Sequence, residues 1–224
     1  MAGDAVLQPG IDLVREILLE PKLVNGCFDP EYVESEKINL IADIESELND
    51  KRAYAATRMI RAMCDGDSFA LSLRGETADV EAITAQGLYD HYRRVLRESP
   101  VELFFVGSAS AEEVAKELMP LANALAAEPM ELPGQTSLNL TTQPLEFSET
   151  MDVNQGKLSM GFTTPVTNQH PDFAAMQVFN ALYGAGMTSK LFVNVREKLS
   201  LCYYAGSGYY GSKGIVTVSS GIDE

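Results

Sequence analysis

Residues 189–204, SKLFVNVREKLSLCYY, carry the reading that decides the fold. A glycine-broken stretch, 184–189 GAGMTS, leads into them. Ser189 stands where an N-cap would, with its hydroxyl free to accept from the first turn. Leu191, Phe192, Val195 and Leu199 then fall within a narrow stripe at helical spacing, which predicts an amphipathic helix. Arg196 lies just off the edge of that stripe, and Tyr203 follows seven residues later on a predicted strand. Each residue has two readings. Arg196 is either a snorkelling arginine covering the core margin or a guanidinium aimed into a cleft. Tyr203 is either a half-buried strand tyrosine or a hydroxyl presented to a ligand. Delivered together, they suggest a site that handles a carbonyl oxygen.

Outward from this segment, the pattern is α+β. Upstream, 156–162 GKLSMGF alternates Leu158, Met160 and Phe162 as a strand, and 172–183 reads as a helix apolar nearly all round, hence buried. Downstream, 201–210 and 214–220 read as a hairpin turned at 211–214, GSKG. In the front part, 11–19 reads as a helix stopped at Pro21. Asn25-Gly26 and Asp29-Pro30 are turn signals. A long helix is predicted over 31–63, with Ile38, Ile41, Leu48, Ala55, Met59 and Met63 on one stripe, a bend near Asp50-Lys51, and an end at Gly66. Glu36 and Asp43 share its opposite face. Residues 84–96 read as a further helix, 101–106 VELFFV as a buried strand, and Ser110 as the cap of a helix striped by Val114, Leu118, Leu121 and Leu125. Pro120 within it predicts a kink or an early end. Residues 128–146, rich in Pro, Ser, Thr and Asn, read as a linker between domains spanning 1–127 and 147–224.

Composition narrows the functional classes. A net charge of −15 argues against nucleic acid, which needs clustered Lys and Arg, and permits a basic peptide partner. No apolar run reaches the roughly 20 residues of a membrane helix. The N-terminal stretch 1–10, MAGDAVLQPG, reads as lacking a secretory signal. Cys27, Cys64 and Cys202 are isolated, with no C-x-x-C, so free thiols and a reducing, cytoplasmic compartment are expected. Cys64 and Cys202, among apolar neighbours, read as small buried hydrophobes. The only histidines, His91 and His170, have no partners at ligand spacing, so no metal site is predicted from the residues. The loop 184–190 fails the phosphate-loop pattern, because a helix precedes it and no Gly-Lys-Ser/Thr ends it.

Taken together, 189–203 SKLFVNVREKLSLCY, the strand 155–162, the helix 173–186 and the front segment 28–55 resemble the insulinase/pitrilysin-type zinc metallopeptidases, the group that includes mitochondrial processing peptidase. Members show a glycine-rich turn, S-x-L-F-x-x-V-R-E-K, then G-L-x-Y; here Ser200 stands in place of that glycine. The resemblance implies two related α/β sandwich domains with mostly antiparallel sheets and helices on one face. The chain would hold the back part of the first domain and the front part of the second, as an internal slice of a longer protein.

In active members of that family, H-x-x-E-H supplies two zinc ligands and the general base, a later-helix glutamate is the third ligand, and an Arg/Tyr pair from the second domain holds substrate and oxyanion. By this resemblance Arg196 and Tyr203 are the substrate-binding pair. Asp43, a shorter side chain than glutamate, stands at the third-ligand position. No H-x-x-E-H occurs in the 224 residues, so the reading assigns this chain no catalytic residue and no cofactor of its own. The expected partners are a catalytic zinc-peptidase subunit or a second copy, and a peptide substrate. Three roles stay open: a partner subunit contributing Arg196 and Tyr203, a structural or peptide-binding module without turnover, and an active zinc peptidase whose histidines precede residue 1.

Overall fold

A computed structural model describes residues 4–132, 134, 138 and 143–222. The centre of the predicted linker, including Pro133 and most of its Ser/Thr/Asn run, lies outside the described residues. Two compact units emerge, and the chain alternates between them: one comprises 1–42 and 76–133, the other 43–75 and 134–224.

The first unit opens with helix α1 (Asp4–Leu19) and a short hairpin of β1 (Leu23–Val24) and β2 (Cys27–Phe28). Asn25 and Gly26 take φ of 54° and 84° between the two strands. Two successive positive φ values are what a tight two-residue hairpin demands, and Asn-Gly supplies them at low cost. Helix α2 (Pro30–Ser46) follows, then α4 (Thr77–Glu81), α5 (Ala85–Glu98) and α6 (Ala111–Ala124). Thr84 caps α5 by accepting from Gly87 N–H at 3.1 Å. Ser110 and Glu113 cap α6 reciprocally, backbone to side chain in both directions. Phe28 on β2 sets its ring 5.4 Å from both Tyr89 and Tyr92 of α5, at edge-on angles favourable for aromatic pairs. Val33, Val80, Val114, Leu121 and Leu125 are buried, so the predicted α6 stripe forms as expected. Pro120 does not end α6, which runs four residues beyond it.

The strand predicted over 101–106 does not form. These six residues are exposed and belong to no ladder, and no described residue pairs with their backbone. Strand propensity is a preference for a pleated, half-buried surface, and it produces a strand only where a neighbour takes up the backbone groups.

The second unit contains helix α3 (Lys51–Met63), helix α7 (Phe173–Tyr183) and a three-stranded antiparallel sheet. Its strands β3 (Gly156–Thr163), β4 (Tyr204–Tyr210) and β5 (Ile215–Ile222) are ordered β3-β5-β4, so the last strand is central. Gly161, Thr217 and Gly208 are in register, and a Cβ on Gly161 would meet the sulfurs of Met59 and Met63; α3 therefore covers that face. Ser207 projects the opposite way and donates to Asn180 Oδ1 at 2.7 Å, which places α7 on the other face over β4.

The single long helix predicted over 31–63 is two helices. A 3₁₀ turn (Glu47–Asn49) intervenes, and the Asp50 carboxylate accepts from the N–H groups of Arg52 and Ala53 at 3.0 Å each. The predicted stripe is not buried along its length: Ile38 and Leu48 are exposed, whereas Met59 and Met63 pack on β3. Helix α7 is also not buried all round. Val178, Phe179 and Leu182 face outward, because only the Asn180 side is covered by β4.

Candidate functional site

The segment 189–204 folds as a wide turn of helix delivering two side chains to one cleft. Gly184 N–H bonds the Asn180 carbonyl at 3.0 Å and its own carbonyl accepts from Ser207 N–H at 3.0 Å. A Cβ at Gly184 would lie 2.6 Å from the Ser207 nitrogen, so only glycine allows the chain to pass this close to β4. Ser189 is 1% exposed and accepts from Phe192 N–H at 3.3 Å, which fulfils the capping role expected of it.

The helix that follows is a π-helix, Leu191–Lys198, and not the regular amphipathic helix predicted. Leu199 N–H reaches the Asn194 carbonyl at 3.1 Å, and Leu201 N–H reaches Val195 at 3.2 Å. These wide bonds turn Leu199 out of the predicted stripe, and it is exposed. They close over Ser200, whose φ is 51°. This left-handed conformation gives a physical reason for the family's glycine at the position.

Arg196 and Tyr203 are brought together. Arg196 Nε donates to the Tyr203 carbonyl at 2.8 Å. Its guanidinium lies 4.8 Å from the Phe192 ring centroid and pairs with the neighbouring Glu197 carboxylate. Tyr203 N–H bonds the Gly221 carbonyl at 3.0 Å, fixing its backbone to the β5 end, while its side chain is 60% exposed. Both residues line an open cleft of about 500 Å³ with Glu197, Ser200, Leu201 and Cys202. Cys202 is half-buried there, unlike Cys64, which is 1% exposed and whose thiol burial pushes up in pKa.

The adjacent Tyr204 points to the other face, under the Arg52 guanidinium at 4.1 Å. Burial pushes its hydroxyl up, against the opposing pull of Arg52. Sequence reasoning did not single out Arg52, Glu197 or Tyr204. The strand alternation at 203–204 and the position of Glu197 beside Arg196 were the available signals.

Asp43 is exposed on α2, where its backbone carbonyl accepts from Ser46 Oγ at 2.8 Å. Glu36 lines a separate apolar pocket of about 360 Å³ with Phe28, Val33, Leu40 and Ile83. His91 interacts with Arg94 at 2.9 Å, and His170 Nδ1 accepts from Asp172 N–H at 3.1 Å. Among the described residues no three His, Cys, Asp or Glu side chains converge as a metal site would require. The donors among the described residues do not fit zinc.

The family model described as "Peptidase M16 inactive domain" matches residues 82–224. The chain belongs to the peptidase M16 family. It is 36% identical over 218 residues to the Bacillus subtilis protein named "Probable inactive metalloprotease YmfF", covering 97% of this chain and 51% of that protein. A conserved protein from Enterococcus faecalis V583 superimposes with a TM-score of 0.84 at 32% identity, over 97% of this chain and 51% of that one. A peptidase M16 inactive domain from Pseudomonas fluorescens shares the fold, with a TM-score of 0.72 at 18% identity, over 96% and 51%. The M16 chain described here thus spans about half the length of these relatives. It has an α+β fold of antiparallel sheets and helices, and no helix among its described residues is long and apolar enough to cross a membrane.

Proposed function

We propose that this chain is a non-catalytic, cytoplasmic partner in peptide processing, whose Arg196 and Tyr203 hold the substrate and the developing oxyanion at a zinc site carried by another chain or domain. The observation that carries the reading is the 2.8 Å bond from Arg196 Nε to the Tyr203 carbonyl at the rim of the open cleft. It ties the Arg196 side chain to the Tyr203 backbone, so the guanidinium is held beside the residue that carries the phenol. The guanidinium keeps donors beyond Nε, and an incoming carbonyl oxygen would compete with Glu197 for them. Donors preset where charge develops favour the transition state over the ground state.

On this reading the order along the chain is that of the family, 1–127 from the first peptidase-like domain and 147–224 from the second with a linker between, while 43–75 packs in the same compact unit as 134–224. Asp43 carries no ligand role.

Hydrolysis of a fluorogenic peptide by the chain reconstituted with a catalytic M16 subunit tests the proposal. Arg196→Ala and Tyr203→Phe should each lower kcat by about 10²-fold, the scale of one lost oxyanion donor. Unchanged rates would sink it. A second reading, peptide binding without turnover, rests on the net charge of −15, which favours a basic peptide. It predicts peptide binding that survives both substitutions and no hydrolysis with any subunit.

A further inference from the structure

Tyr203 stands at the very end of the β4–β5 ladder. Its N–H bonds the Gly221 carbonyl at 3.0 Å, but two residues earlier the chain has left the sheet, and the Leu201 N–H bonds the Val195 carbonyl instead. The phenol is largely exposed, so its place is set by the backbone that carries it. Ends of elements open most readily, so a side chain presented from one needs a clamp nearby. Tyr204 carries that clamp. A Cβ added to Gly221 would stand 2.6 Å from Cε1 of the Tyr204 ring, so the ring rests on bare backbone. The Arg52 guanidinium lies over the same ring, 4.1 Å from its centroid. The Tyr204 carbonyl accepts from Ser220 Oγ at 2.9 Å, whereas no described residue hydrogen-bonds the Tyr204 hydroxyl.

We propose that Arg52 is a positioning residue for the cleft: by holding the Tyr204 ring on Gly221 it fixes the Tyr203 backbone and, through the Tyr203 carbonyl, the Arg196 guanidinium. The inference rests on the reading of Arg196 and Tyr203 as the pair that holds substrate. Arg52 is itself fixed in the first turn of α3, where its N–H bonds the Asp50 carboxylate at 3.0 Å. Among the described residues its side chain makes no ion pair, and the ring is its partner. Gly221 meets the Tyr204 ring and also accepts the Tyr203 N–H, so displacement of the ring disturbs the group that anchors Tyr203. The carbonyl that takes Arg196 Nε at 2.8 Å belongs to the peptide joining Tyr203 to Tyr204. That peptide is planar, so pinning Tyr204 orients the acceptor that Arg196 reads. Loss of a cation over a ring changes a local opening equilibrium by about three- to tenfold, which sets the size of the effect.

Hydrogen exchange followed by NMR in the 224-residue chain reads the Tyr203 amide and the Arg196 Nε–H directly. Arg52→Ala should speed both by about three- to tenfold, with the β5 amides near Val218 unchanged as the folding control. Arg52→Lys keeps a cation at the ring and should fall between Arg52→Ala and the native chain. Arg58→Ala is the control on the same helix; its side chain bonds Glu149, and its loss should leave both rates alone. In peptide hydrolysis with a catalytic M16 subunit, Arg52→Ala should lower kcat by about three- to tenfold, and Arg58→Ala should not. Native exchange rates in Arg52→Ala overturn the inference. So does equal acceleration by Arg58→Ala, or acceleration that extends to β5, either of which would make Arg52 a support of the fold at large. Faster exchange in Arg52→Ala, combined with hydrolysis indifferent to Arg196→Ala and Tyr203→Phe, would sink the substrate-holding reading and leave the positioning standing. Hydrolysis that needs both residues, with exchange indifferent to Arg52, would sink the positioning alone.

Discussion

Residues 101–106 and 215–222 are both short, apolar and rich in strand-forming residues, yet one is bare and the other is the centre of a sheet. Ile215 is 0% exposed, Val216 6% and Val218 4%, against 86% and 99% for Phe104 and Val106. β5 is flanked by β3 over all of Ile215–Ile222 and by β4 from Ile215 to Gly221, so its backbone groups are used on both edges. The difference lies in the neighbours and not in the composition. A strand is a property of a ladder, and one with no partner keeps only the extended shape.

The largest effect that bears on this contrast is truncation at the two centres. Ile215→Ala should destabilise the chain by about 2–5 kcal/mol, as expected for a buried branched side chain. Phe104→Ala should change stability by no more than about 0.5 kcal/mol in the chain alone. Urea unfolding of both variants gives the comparison. A Phe104→Ala cost comparable to that of Ile215→Ala would mean that 101–106 is packed in solution, and the contrast would collapse.

A second, smaller effect concerns how β5 is held at its start. Lys213 Nζ sits 2.8 Å from both carboxylate oxygens of Asp67, with the two side chains only 9% and 12% exposed. This ties the β4–β5 turn to the segment after α3. Lys213→Met should cost about 2 kcal/mol, short of a fully buried pair because both groups retain some water. The loss should appear as faster exchange of β5 amides near Ile215 before those near Ile222. Uniform loss along β5 would show that its neighbours, and not the turn, anchor the strand.

Much of this was legible in the residues. The turn at 211–214, the caps at Ser110 and Ser189, and the closeness of Arg196 to Tyr203 follow from local chemistry that needs few partners. The misread elements depend on something distant. The long helix divides where the bend near Asp50-Lys51 was expected, but the Asp50 carboxylate starts a separate helix there, a capping choice that a periodicity count does not register. Helix α7 was read as buried because its residues are apolar, but burial requires cover, and only its Asn180 side has it. The π-helix was invisible because its wide bonds are set by the closure over Ser200 and the fit against β4, not by side-chain pattern. At the site, the motif gave Arg196 and Tyr203, while the bond joining them uses a backbone carbonyl that carries no residue identity.

Ser200 offers a smaller change at the entrance to β4. Its left-handed φ of 51° costs a non-glycine residue about 1–2 kcal/mol. Glycine would relieve that strain but gain freedom in the unfolded chain, an offset of about 0.5–1 kcal/mol. Ser200→Gly should therefore stabilise the chain by roughly 0.5–1 kcal/mol, read as a raised urea midpoint. A lowered midpoint would mean that the Ser200 side chain contributes packing in the cleft that outweighs the strain.

The smallest expected effect lies just ahead of β3, an edge of the same ladder. Glu149 accepts from the Tyr54 hydroxyl at 2.9 Å and from Arg58 Nε at 2.8 Å, which moors its segment to α3. The Tyr54 hydrogen bond first, then Arg58, hold its carboxyl below the ordinary 4.5. A depressed acid stabilises the fold at pH above its unfolded value, and that contribution fades as the pH drops from about 4.5 through the lower folded value. Tyr54 titrates the opposite way. The Glu149 hydrogen bond raises it above its ordinary 10.0, so its share persists below that value and is lost as the pH climbs through the raised one. Glu149→Gln should thus lower the urea midpoint slightly near neutral pH, and the gap to the native chain should close in acid as Glu149 protonates. Because the carboxylate is open to solvent, added salt should shrink the gap as well. A gap that persists unchanged below pH 4 would assign the mooring to packing of the 143–150 segment and remove charge from its explanation.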